Sequence, residues 1–154
     1  MEYDYLVKHC VDSNEEWLRK TNEEIWRVLG IKDLTESSKI IKFYYFKAPF
    51  EDAKKDAQRQ IIVFINSGHI IIGTSVFDSI GRVESVELQT IRLMDIQKLV
   101  LKASANYHDH EVNLEVFTKD GSTICLDSDD ANVNWRRPYA EHIREIAQYL
   151  LHSI

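Results

Sequence analysis

The chain has 154 residues, 44% of them apolar and 29% charged, with five Gly and two Pro. That length and mixture fit one ordinary globular domain, and they exclude collagen-like, low-complexity and wholly disordered classes. Nineteen Lys and Arg stand against 25 Asp and Glu, a formal net charge of −6, so the chain as a whole lacks the basic footprint of nucleic-acid and membrane-surface binders.

The charge is unevenly spread. Residues 106–134 hold seven acids and one base, which alone makes −6, while residues 31–60 lean basic with seven bases against five acids. Met1-Glu2-Tyr3-Asp4-Tyr5 carries acid where a secretory leader needs positive charge. The apolar runs Ile61–Ile65 and Ile70–Ile72 fall far short of the ~20 residues of a membrane-spanning helix. Cys10 and Cys125 show no CxxC spacing and make no disulfide framework. These features predict a cytoplasmic protein with no transmembrane segment and no cofactor.

In chain order, residues 5–10 are expected to form a short helix. Ser13-Asn14-Glu15-Glu16 then reads as a capping box, in which the Ser hydroxyl and the Glu carboxylate satisfy orphan amides. Trp17, Leu18, Thr21, Ile25, Val28 and Leu29 share one arc at 100° per residue, and Gly30 closes the helix. Trp26 sits to one side of that arc. From Lys39 the pattern becomes β-branched and aromatic and stops before Pro49, which predicts a strand over 39–47. Residues 51–58 read as a loop or helical turn.

Strands are expected over 59–66 and 69–77, with a two-residue loop at Ser67-Gly68 that sets Ile65 opposite Ile70 and Val63 opposite Ile72. That hairpin is apolar on both faces, so both sides need cover. Further strands are expected over 82–92, 95–104, 111–118 and 122–127. For the last pair, a two-residue Asp120-Gly121 loop would mix wet and apolar faces. A three-residue loop with Gly121 left-handed pairs Val116 with Ile124 and Leu114 with Leu126, and is preferred because the buried face sets register. Tyr139, Ile143, Ile146, Ala147, Leu150 and Leu151 then form the stripe of a terminal helix that begins near residues 134–137, with Pro138 in its first turn.

The expected fold is α+β and mainly β. Seven antiparallel strands make a curved sheet or partly open barrel capped by a C-terminal amphipathic helix. A single domain spans 1–154, with residues 1–34 as a helical extension and 39–154 as the core. This order of elements resembles the pleckstrin-homology superfold over about residues 39–154. The stretches Asp95-Ile96-Gln97-Lys98-Leu99-Val100-Leu101 and Leu114-Glu115-Val116-Phe117-Thr118-Lys119-Asp120-Gly121 are similar to strand starts and hairpins of its bacterial members, and the chain looks most like a family of small bacterial proteins within it. The resemblance implies a fold only, since superfolds host many functions.

Three constellations are candidates for function. Lys47 is expected to end the first strand, Lys54 and Lys55 to lie in the loop after it, and Arg59 to open the second strand, where the resemblance implies a site for anionic lipid headgroups or phosphate. Glu51, Asp52 and Asp56 dilute that field, and no Arg-x-Arg or Lys-x-Arg pair is present. His108 and His110 would share one face of an extended segment at a spacing that could reach one metal, with Asp127, Asp129 and Asp130 as oxygen donors for a small metal-dependent hydrolase. Trp135, Arg136 and Arg137 combine residue types that dominate protein interfaces.

No Gly-x-Ser-x-Gly, His-Glu-x-x-His or Gly-rich phosphate loop is present. Ser67-Gly68-His69 reads as turn chemistry. Cys125 is expected as a small buried hydrophobe, and His142 and His152 as surface residues. The expectation is a non-enzymatic protein- or peptide-binding or scaffolding module, in which a peptide adds to a strand edge beside the terminal helix.

Overall fold

The structure, a computed structural model, describes residues 7–8, 15–47, 58–105, 110–131 and 133–154. The described chain divides into two compact units, one running as far as Ile91 and the other from Arg92 to the end. Its seven strands form two antiparallel sheets rather than one: β1-β2-β3-β4 and β5-β6-β7. The division into sheets of four and three corrects the expectation of one seven-stranded sheet, and no closed barrel forms among the described residues.

Of the helix expected over residues 5–10, only residues 7–8 are described, and they are helical; the first unit continues with α1 (Glu16–Leu29). Its N-cap is Glu15, whose side chain makes no capping bond, and Ser13 and Asn14 of the expected capping box lie outside the described residues. Gly30 closes the helix at φ 69°, a left-handed position that glycine takes without strain. A second helix follows that sequence reading had missed. Here α2 (Leu34–Ile40) takes Lys39 and Ile40 away from the expected first strand. Asp33 caps α2 by accepting the Glu36 N–H at 2.9 Å, and Glu36 reaches back to the Lys32 N–H at 3.0 Å. The Asp-x-x-Glu signal was in the sequence, but the helix is too short to show an apolar stripe.

The sheet of this unit comprises β1 (Ile41–Lys47), β2 (Gln60–Ile65), β3 (His69–Phe77) and β4 (Val83–Arg92), whose last residue is the first of the second unit. The β2–β3 hairpin corrects the expected register by one residue. Ile65 faces His69, Phe64 faces Ile70 and Val63 faces Ile71, so the loop is Asn66-Ser67-Gly68. Gly68 sits at φ 89°, and its N–H bonds to the Ile65 carbonyl at 3.0 Å. The late hairpin takes the same three-residue form.

The observed register places Tyr44, Phe46, Ile61, Val63, Ile71, Gly73 and Ser75 on one face. Onto this face α1 packs. Thr21 Oγ1 and Ser75 Oγ lie 2.8 Å apart in a buried hydrogen bond. Trp26 Nε1 donates to Tyr44 Oη at 2.7 Å, and Tyr44 Oη donates to Asn22 Oδ1 at 2.9 Å. Helix and sheet are thus joined by paired polar atoms inside an apolar interface, which fixes where the helix sits. On the opposite face, Tyr45, Ile62, Phe64, Ile70 and Ile72 are also buried.

The second unit holds β5 (Ile96–Ala103), β6 (Val112–Thr118), β7 (Thr123–Asp127) and α3 (Arg136–Ser153). Leu114 faces Leu126 and Val116 faces Ile124, as the three-residue loop predicts, and Gly121 takes φ 91°. Thr118 and the Ser122 N–H both bond the Asp120 carboxylate, and these bonds hold its pKa below the ordinary value. Val112, Leu114, Val116, Ile124 and Leu126 are buried, and α3 packs on their sheet through Tyr139, Ala140, Ile143, Ile146 and Leu150.

The margins of both long helices depart from expectation. Val28 on α1 and Leu151 on α3, assigned to apolar stripes, are 62% and 64% exposed, whereas His142, assigned to the surface, is buried.

Candidate functional site

A strand at the end of a sheet carries a row of backbone donors and acceptors with no neighbour to pair them. In the second sheet the two ends are β5 and β7. Four of the five residues of β7 are buried or half-buried, whereas five of the eight residues of β5 are exposed. Among the described residues, β5 pairs with β6 alone. It is therefore the open edge of this unit among the described residues.

The β5 register gives that edge two chemistries. Leu99 faces Val116 and Leu101 faces the fully buried Leu114, so both leucines lie on the side of the sheet that α3 covers. Leu99 is half-buried, and Leu101 remains 47% exposed. On the other side, Lys98 Nζ lies 4.7 Å from the centre of the Phe117 ring, and Lys102 Nζ lies 3.2 Å from Glu115 Oε1. A register shift between Ile96 and Lys98 sets the start of this pattern. The edge thus offers an apolar step on one face and two ammonium groups on the other.

The other sequence candidates are dispersed. Lys47 ends β1 opposite Gln60, the first residue of β2, and Arg59 lies just before β2. The Arg59 guanidinium lies 5.7 Å above the Trp17 ring. Lys54, Lys55 and His108 lie outside the described residues. His110 stands at φ 48°, half-buried. The carboxylates expected to join it as oxygen donors bond within their own segment or to the neighbouring strand. Asp127 accepts from the Asp129 N–H and from Asn113 Nδ2, at 2.8 and 2.9 Å, and Asp130 accepts from the Asp127 N–H at 3.1 Å. No group of three or more His, Cys, Asp or Glu that could hold a metal occurs among the described residues.

Trp135 is half-buried at the N-cap of α3. Arg136 is turned onto Asp129 at 3.1 Å and Arg137 onto Glu141 at 3.3 Å, so both guanidinium groups face carboxylates of their own chain. Cys125 is half-buried rather than fully buried, with Asn113 Nδ2 3.1 Å from its sulfur. Trp17 Nε1 and Arg136 Nε are buried without an acceptor among the described residues.

Sequence reasoning missed the chemistry of Tyr139, which it placed only in the stripe. Its phenol is completely buried, and burial, aided by the Asp130 carboxylate, pushes its pKa well above the ordinary value of about 10. A group whose pKa is raised by folding stabilises the fold below the unfolded value, and that contribution is lost as pH rises beyond it. Above about pH 10, the stability difference between wild type and Tyr139→Phe should therefore shift against wild type, by at most about 1.4 kcal/mol per pH unit. Denaturant melts of both proteins at stepped alkaline pH would check this, and parallel pH profiles would refute it.

No helix among the described residues is long and apolar enough to cross a membrane. In comparisons with known proteins, the chain matches no family model, no curated protein and no solved structure.

Proposed function

We propose that this chain is a non-enzymatic binding module that takes up an extended peptide as an added strand on β5. The observation that carries this reading is the open β5 edge, with Leu101 47% exposed on the face that α3 covers. Main-chain hydrogen bonds along such an edge supply affinity, and alternate side chains supply selectivity. The preferred peptide alternates apolar residues, set against Leu99 and Leu101, with acidic residues set against Lys98 and Lys102. The same lysines disfavour pairing of β5 with a second β5. In the central antiparallel register, with Val100 opposite itself, Lys98 of one strand would meet Lys102 of the other. Seven antiparallel strands followed by one terminal helix support the likeness to the pleckstrin-homology superfold.

The test is selection of binders from a displayed random-peptide library, followed by titration and amide exchange. Selected peptides should alternate apolar and acidic residues and slow exchange along β5. Leu101→Glu should weaken them about tenfold or more, because it removes buried leucine surface and adds a repelling carboxylate. Peptides that bind Leu101→Glu as tightly as wild type, or that protect other strands, would overturn the proposal.

A further inference from the structure

The four-stranded sheet ends in β1 and β4, and four of the seven residues of β1 are buried whereas one of the ten of β4 is, so β4 is the more exposed end among the described residues. It has ten residues, no Pro, and a largely exposed profile. Long edges of this kind pair with other strands unless something blunts them. Its charged residues are Glu84, Glu87 and Arg92, with Arg82 just before it.

A two-fold axis restricts how two copies of β4 can meet. For two antiparallel copies to extend one continuous sheet, odd residues must face odd residues and even must face even, because opposed side chains share a face. Few registers with substantial overlap remain. With Glu87 opposite its own copy, like charges meet there and again at Arg82 and Arg92. With Gln89 opposite itself, Arg92 meets Val86 and Glu87 meets Ile91. With Leu88 opposite itself, Glu84 meets Arg92 at one end, and Arg92 meets Glu84 at the other. Val86 then faces Thr90, and Glu87 faces Gln89. Among registers that use most of the strand, this one opposes unlike charges, and it does so twice.

We propose that the chain forms a two-fold dimer through β4, with Leu88 on the axis and Glu84 paired to Arg92 of the second copy on both sides. The two four-stranded sheets then become one of eight strands. Arg92 is already oriented, since its Nε lies 3.0 Å and its Nη2 3.3 Å from the Asp95 carboxylate. Its remaining donors suit a second carboxylate in the fork geometry of guanidinium groups. The occupant of this edge is a second copy because the charge pattern is complementary to itself, unlike that of β5.

Sedimentation velocity of the full chain across a dilution series tests this. Wild type should dimerise with a concentration-dependent midpoint. Glu84→Arg and Arg92→Glu should each weaken dimerisation roughly tenfold or more, since each replaces two attractive cross-strand pairs with two repulsive ones. An equimolar mixture of the two variants should form heterodimers at wild-type strength, because each repulsive pair becomes attractive again. Circular dichroism confirms that both variants are folded. A wild type that stays monomeric, variants that dimerise like wild type, or a mixture that fails to recover association would each overturn the proposal.

Discussion

Replacing Ile143 with alanine is expected to lower the unfolding free energy by about 2–5 kcal/mol, the range for removing a large aliphatic side chain from a closed core. Ile143 is fully buried on α3, and the sheet beneath contributes Leu114 and Leu126, also fully buried. Water cannot fill an apolar void of that size, and rigid strands collapse around it only in part. The loss is a large share of the ~5–15 kcal/mol typical of a whole domain, and it corresponds to a melting temperature lower by roughly 5–15 °C. Leu151→Ala is the control. Sequence periodicity places Leu151 in the same stripe, but it is 64% exposed, so its truncation should change stability by less than about 0.5 kcal/mol. Thermal melts of the two variants separate these cases, and equal losses would contradict the packing described for α3.

The second large effect concerns Gly73. A Cβ there would stand 2.8 Å from Thr21 Cγ2, 3.2 Å from Ile25 Cδ1 and 3.3 Å from Leu88 Cδ2. The glycine is required by the close approach of α1 to β3, since its φ is not in the left-handed region. Gly73→Ala should cost about 1–3 kcal/mol by overpacking. Thr21→Ser removes the nearest clashing carbon while keeping a hydroxyl for the 2.8 Å bond to Ser75. The double variant Thr21→Ser/Gly73→Ala should therefore recover part of the loss, with a coupling of about 0.5 kcal/mol or more in a double-mutant cycle from denaturant unfolding. Strict additivity would mean that the helix does not rest on Gly73.

The two hairpins show what a sequence can and cannot convey about register. Around Lys119-Asp120-Gly121 one face alternates apolar with polar residues, so a wrong loop length would bury charge, and the three-residue loop follows. Around Asn66-Ser67-Gly68 both faces are apolar, a slip by one residue costs no visible burial, and the shorter loop looks equally good. The candidate site was half legible in the same sense. Leu99, Leu101, Lys98 and Lys102 sit in a strand that the sequence identifies, yet nothing in one strand's own residues says whether it ends a sheet.

Local physics accounts for what the sequence determined by itself: seven strands and a long terminal helix in their observed order, the late hairpin's register, and the glycines that close α1 and the hairpins. Each rests on periodicity or turn chemistry within a few residues. Tertiary structure alone decided that the strands divide into sheets of four and three, that β4 and β5 are the more exposed of the strands that end them, and that α1 sits over Gly73. It also decided that Val28 and Leu151 face water while His142 does not. These outcomes depend on which surfaces meet across long chain separations, and a residue at the margin of a stripe is buried only if its partner surface extends that far.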